Sequence, residues 1–142
     1  MDTMNTVKIE RRRRPFAVYL LGTIEPEGTN GAFFEEAEAL ESRGIVCHNP
    51  AACTFLVHFG EGAELLNDLS RVMLCHSDAV LALPGWLNSP EGRRQHHFAI
   101  AKGLPVVTIG AADWNNRLLA CKAAWERDRE AAEKAAGEEA RE

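Results

Sequence analysis

The 142-residue chain has no apolar run near the roughly 20 residues that a bilayer-crossing helix needs, so a membrane span is not expected. Its four cysteines, Cys47, Cys53, Cys75 and Cys121, include no C-x-x-C pair. A disulfide framework or zinc knuckle is therefore not expected, and a reducing cytoplasm is. Positive charge is short as well: 16 Lys and Arg against 21 Asp and Glu leave a net charge of -5, which argues against broad nucleic-acid binding. The exception is the basic run Arg11 to Arg14, read as a solvated terminal segment with phosphate contact as the alternative. The stretch KIERRRRPFAVYLLG lacks a convincing cleavage region after its apolar part, which reads better as a first strand.

What is present suffices for one core. With 46% hydrophobic residues, the chain is long enough for one well-buried domain and too short for two. FAVYLLG is rich in strand formers, and TNGAFFEEAEALESRG follows it with Phe33, Phe34, Ala37 and Leu40 on one helical stripe and Gly44 as a stop. IVCHNP predicts a short second strand closed by Asn49-Pro50, then an irregular segment and a helix over roughly Ala63 to His76. DAVLALPG is the third strand. The next helix is expected from about Pro90 to Lys102, with Ser89 as its cap, Pro90 tolerated in the first turn and Gly103 beyond its end. LPVVTIG is the fourth strand. From Asp113 a long helix is expected to turn Leu118, Leu119, Cys121 and Trp125 to the core. It then enters ERDREAAEKAAGEEARE, which lacks an apolar stripe and is expected to project into solvent or fray.

Continuous apolar strands separated by helices imply a parallel sheet covered on both faces. The expected class is α/β: a single flavodoxin-like or Rossmann-like domain over residues 15–126, with four to five parallel strands. A flexible basic segment, 1–14, precedes it and a charged helical tail, 127–142, follows. In such sheets ligands sit beyond the carboxyl ends of the strands, where the strand order reverses. Three segments should meet there: Gly22-Thr23-Ile24, His48-Asn49-Pro50, and Pro84-Gly85-Trp86 through Gly92.

Each candidate in those segments has a structural reading beside the functional one. Trp86, next to a Pro-Gly turn, can stack on a planar base or pack against a partner subunit. Asn49 can read a base edge or stabilise the Asn-Pro turn. Tyr19 can present its hydroxyl to a ligand or pack in the core. Asp78 is read as a loop brace, and Cys47 and Cys75 as small buried hydrophobes. His96 and His97 project about 100° apart on a helix and cannot easily share one ion, so no metal site is expected.

The blocks VYLLGTI, GIVCHNPA, SDAVLALPGW and NSPEGRRQHHFAIAKGLPVV, in this order and spacing, resemble the nucleoside 2-deoxyribosyltransferase-like superfamily. That superfamily includes small 2'-deoxynucleoside 5'-phosphate N-hydrolases, and the likeness covers about Phe16 to Ile109. It implies cleavage or exchange of the bond between base and deoxyribose, with a glutamate nucleophile and neither metal nor organic cofactor. Breaking that bond builds positive charge on the sugar, which a carboxylate below the anomeric carbon stabilises or traps. A second acid protonates the base or orients the nucleophile. The resemblance also implies a homodimer or larger assembly in which a neighbour completes the pocket, with the apolar face near Phe33, Phe55 and Phe59 available for it. Thr23 falls where the small N-hydrolases carry a serine, so its hydroxyl and nearby amides could hold a ribose or phosphate oxygen.

This chain departs from the pattern S-x-G-x-x-x-E at the residues that matter most. With Ser89 fixing the register, Ala99 and Gly103 fall where expected, and the nucleophile position is Gln95. An amide can hydrogen-bond a hydroxyl but cannot attack as a carboxylate does. The second acid would fall at Ser70; Asp68, two residues away, points elsewhere unless the helix is shifted. Glu91 replaces the loop glycine, where helix-end amides would otherwise receive phosphate. It reads either as a helix-start residue or as a relocated acid acting on a ligand held by Trp86. The expectation is a cytoplasmic nucleoside- or nucleotide-binding protein with N-glycosidic chemistry lost or reassigned. The alternatives are an active N-glycosidase or deoxyribosyltransferase using Glu91 or Asp68, and a non-binding oligomeric scaffold.

Overall fold

Every residue of strand β1 (Ala17–Leu21) is buried. Its side chains alternate between two apolar layers, Val18 and Leu20 entering one and Tyr19 and Leu21 the other. Burial on both faces is what a central strand of a parallel sheet requires. In the computed structural model, which describes residues 14–141, β1 pairs in parallel with β2 (Val46–His48) on one side and β3 (Ala79–Ala82) on the other. β3 pairs in parallel with β4 (Val106–Thr108), giving the order β2-β1-β3-β4. The architecture is α/β, a flavodoxin-like or Rossmann-like sheet of four parallel strands.

Helices cover both faces. On the Val18 and Leu20 side lie α1 (Gly31–Glu41), through Phe33, Ala37 and Leu40, and α4 (Trp114–Arg141), through Leu118. On the Tyr19 and Leu21 side lie α2 (Gly62–Cys75), through Leu74, and α3 (Pro90–Ala101), through Ala99. Between β2 and α2 the chain forms a kinked 3-10 segment, Pro50–His58, where the sequence predicts irregular structure. That segment packs tightly on the start of α2: a Cβ at Gly62 would sit 2.0 Å from the Leu56 carbonyl oxygen.

Several expectations are corrected. The buried stripe of α1 is narrower than predicted, since Phe34, about 100° round the helix from Phe33, is exposed. Leu119 is exposed for the same reason beside buried Leu118. Cys75, at the last turn of α2, is exposed rather than buried, and Cys47 is half-buried. The charged tail continues α4 as one helix to Arg141. Trp125 anchors that helix, its ring 5.8 Å from Phe16 on one side and covered by the Arg129 guanidinium at 5.0 Å. Arg14, expected in a solvated segment, instead makes two 2.7 Å bonds to Asp78, which also accepts the Ala17 amide at 2.9 Å. This joins the start of β1 to the start of β3, as the brace reading of Asp78 requires. Arg11 to Arg13 lie outside the described residues, as does the rest of 1–13. Among the described residues no helix is long and apolar enough to cross a membrane.

Candidate functional site

The chain leaves β1 for β2 on one side and then enters β3 on the other, so the strand order reverses between β1 and β3. The loops leaving these two strands diverge, which opens a cleft beyond their carboxyl ends. Gly22 allows the first loop to pass close to α1, since a Cβ there would meet the Phe33 ring at 2.9 Å. Thr23 ties the two loops together, its hydroxyl donating to the Gly85 carbonyl at 2.8 Å. Gly85 turns the second loop with a left-handed φ of 87°, and the short 3-10 turn Trp86–Asn88 leads to Ser89. The Ser89 hydroxyl accepts the Gly92 amide at 3.0 Å and caps α3.

This cap sets the rotation of α3 and so decides what enters the cleft. Ala99 packs into the core and Gln95, one turn earlier, is only 6% exposed. Tyr19 Oη donates to Gln95 Oε1 at 2.6 Å. Burial pushes the Tyr19 phenol far above its usual range; the nearby Ser70 hydroxyl opposes the shift and the charge of Glu91 adds to it. Tyr19 therefore stays a neutral donor and fixes the amide. Gln95 Nε2 makes no hydrogen bond to a described residue. Gln95 lines a cavity of about 120 Å³ together with Gly22, Ile24, Ser70, Ser89, Glu91 and Gly92, and with residues of the 3-10 segment and α2. Ser70 and Gln95, the two positions where the resemblance expects acids, thus share one cavity, and neither is charged.

Glu91 lies four residues before Gln95 and so on the same face of α3. Its side chain is 16% exposed, is held by Arg71 of α2, and lies 4.0 Å from Arg94. It is the one acid among the residues lining the cavity. Being at the helix start therefore does not put it out in solvent. Asp68, by contrast, is 64% exposed, lies 3.9 Å from Arg71 and does not line the cavity.

Residues 16–108 match the family described as a domain of unknown function, DUF4406. The chain belongs to this family. No curated protein and no solved structure matches it. The DUF4406 region takes in all four strands and α1 to α3, hence the whole cleft, and leaves α4 outside.

Within the DUF4406 domain, the remaining candidates lie around the cavity rather than in it. Trp86 is stacked on His96, ring centroids 4.1 Å apart and planes 14° from parallel, which occupies one face of the indole. The Asn49 side chain accepts the Ala51 amide at 3.0 Å and is buried, the geometry of a turn stabiliser. Pro84, Gly85 and Thr23 shape the loops without lining the cavity. No group of three or more His, Cys, Asp or Glu side chains among the described residues could hold a metal ion. On the outer side of α3, Gln95 also borders a wider groove of about 700 Å³ that includes Arg71, Arg93, Arg94, His97 and Phe98. Sequence reasoning missed Arg71, the residue that orients Glu91. Its partner lies 20 positions away on another helix, and no local pattern marks such a contact.

Proposed function

We propose that this DUF4406 protein binds a nucleoside or nucleotide, as a member of the nucleoside 2-deoxyribosyltransferase-like superfamily whose glycosidic chemistry has been lost or reassigned. One observation carries the reading: Gln95 is buried in the switch-point cleft with its carbonyl bonded to Tyr19, so the expected nucleophile position offers an amide nitrogen and no attacking oxygen. Ser70 in the same wall supplies no second acid; its hydroxyl is bonded to the Leu66 carbonyl at 2.7 Å. A cavity of about 120 Å³ is smaller than a whole-ligand pocket of roughly 300 to 1,000 Å³. We assign the sugar to this cavity and the rest of the ligand to the adjoining arginine-rich groove. A cytoplasmic location and a homodimer or larger homo-oligomer belong to the same proposal, which invokes no organic cofactor.

A second reading keeps catalysis with Glu91 as the acid, since this carboxylate lines the cavity and is oriented by Arg71. Asp68 is less suited, being exposed outside the cavity. The non-binding scaffold is disfavoured by the open cavity and by an amide nitrogen of Gln95, a residue in its wall, that has no protein partner among the described residues. The test is a panel of nucleosides and 5'-nucleotides, in ribose and deoxyribose forms, followed by melting temperature and then chromatography for free base. A binder raises the melting temperature without base release, because selective binding to the folded state stabilises it. Base release that disappears in Glu91→Gln establishes the enzyme instead. No shift and no release with any compound leaves the scaffold.

A further inference from the structure

We propose that the cleft selects a furanose carrying both the 2'- and 3'-hydroxyls, so that the ligand is a ribonucleoside or ribonucleotide and not its 2'-deoxy form. This rests on the nucleotide-binding reading and narrows its ligand class. The two long polar side chains that α3 contributes to the cavity lining, Gln95 and Glu91, carry a donor and an acceptor. Gln95 Nε2 carries two N–H groups, has no protein partner among the described residues, and belongs to a side chain only 6% exposed. One turn earlier the Glu91 carboxylate is an acceptor only, with Arg71 and Arg94 balancing its charge and leaving lone pairs free. A hydroxyl is the small group that meets both kinds of atom, giving its one proton to the carboxylate and accepting one of the two amide N–H groups.

Two adjacent hydroxyls fill this pair of positions. A single hydroxyl leaves the second amide N–H and a carboxylate lone pair without a partner once water is displaced, and such unpaired polar groups are what allow a site to reject an analogue lacking a hydroxyl. A carboxylate reading a ribose 2'-hydroxyl is also a recurrent arrangement in parallel α/β sheets. The volume agrees, because about 120 Å³ accommodates a sugar-sized group and not a whole nucleotide. The charge agrees as well: Glu91 occupies the first turn of α3, where it repels a phosphate and attracts hydroxyl protons. Any 5'-phosphate must then face away from this helix end, and the groove with Arg93 and Arg94 is the available basic surface.

The experiment is a melting-shift titration of the full chain with adenosine, guanosine, cytidine and uridine, their 2'-deoxy counterparts, and the 5'-monophosphates of both series. At least one ribo compound is expected to bind roughly tenfold or more tightly than its 2'-deoxy twin. In Glu91→Ala that ratio should fall towards one. Equal or tighter binding of the deoxy twin to the wild-type chain overturns the inference while leaving nucleotide binding intact, and needs no variant to be folded. An undiminished ratio in a folded Glu91→Ala, checked by circular dichroism, overturns the role of Glu91. Silence from both series overturns the nucleotide-binding reading itself.

Discussion

The phenol of Tyr19, on the central strand, donates a 2.6 Å hydrogen bond to the side-chain carbonyl of Gln95 on α3. The bond crosses from sheet to helix between two mostly buried side chains. Tyr19→Phe keeps the ring and strands the Gln95 carbonyl. A loss of about 1 to 3 kcal/mol in unfolding free energy is expected, read as a lower urea midpoint with an unchanged slope. An unchanged midpoint would mean that the amide finds another partner, and the argument that Tyr19 fixes its orientation would fail.

Gln95→Glu places a second carboxylate on the helix face that already carries Glu91 and in a mostly buried position. Burial and the like charge both raise the pKa of the new acid above its unfolded value of about 4.3. The unfolded state then loses its proton first, so stability relative to wild type should fall as pH rises above that value. Melting curves from pH 4 to pH 8, as an approximate span of this window, test the sign. The same variant should release free base from a bound nucleoside if the amide is the missing piece of chemistry. Continued absence of free base from a folded, ligand-binding variant would show that more of the site has been lost.

His48 is held below its ordinary pKa of 6.5, first by burial and then by Arg14 and His76, with a backbone bond to Met73 and the charge of Asp78 opposing. Its Nδ1 lies 2.7 Å from the Ser77 hydroxyl, which itself donates to the Met73 carbonyl at 2.8 Å, so the neutral ring serves as donor. A depressed folded pKa means that the unfolded chain binds the proton more readily. The stabilisation from His48 is complete above pH 6.5 and is lost as pH falls towards the folded value. His48→Gln should flatten the pH dependence of the melting temperature just below 6.5 relative to wild type. Superimposable profiles would rule His48 out as a contributor.

Two glycines should respond oppositely to alanine. At Gly62 a Cβ would lie 2.0 Å from the Leu56 carbonyl oxygen and 2.4 Å from the Val57 Cα, both backbone atoms. Gly62→Ala must push the 3-10 segment off α2, and a loss of about 3 kcal/mol or more is expected from such overpacking. At Gly137, inside α4, nothing lies within 4 Å. Gly137→Ala should stabilise that helix by about 0.5 to 1 kcal/mol, seen as higher helicity on heating. A neutral Gly62→Ala would disprove the tight seat of the 3-10 segment on α2.

Local pattern was enough for the elements and their order. Apolar runs such as AVYLL and AVLA can be buried only in a sheet covered on both faces, and Ser89, Pro90 and Gly103 punctuate α3 through backbone rules that need no distant partner. The same cap fixed the register that brought Gln95 under suspicion, and a count of eight residues back from Asp78 did so for Ser70. The stripes of α1 and α4 were read too wide, because periodicity marks a face without its edges, and Phe34 and Leu119 fall just outside them. Trp86 looked like a base-stacking residue, and only the fold set its ring against His96.

By itself, the sequence determined the α/β class, the run of strands and helices, and the amide at position 95 relative to the Ser89 cap, since these follow from periodicity, caps and spacing along the chain. Tertiary structure alone decided that Glu91 turns into the cleft, that Arg71 holds it there, and that Tyr19 aims the Gln95 amide. Those contacts join residues 20 and 76 positions apart. Their geometry depends on how helices pack across the sheet, and no local spacing rule encodes that.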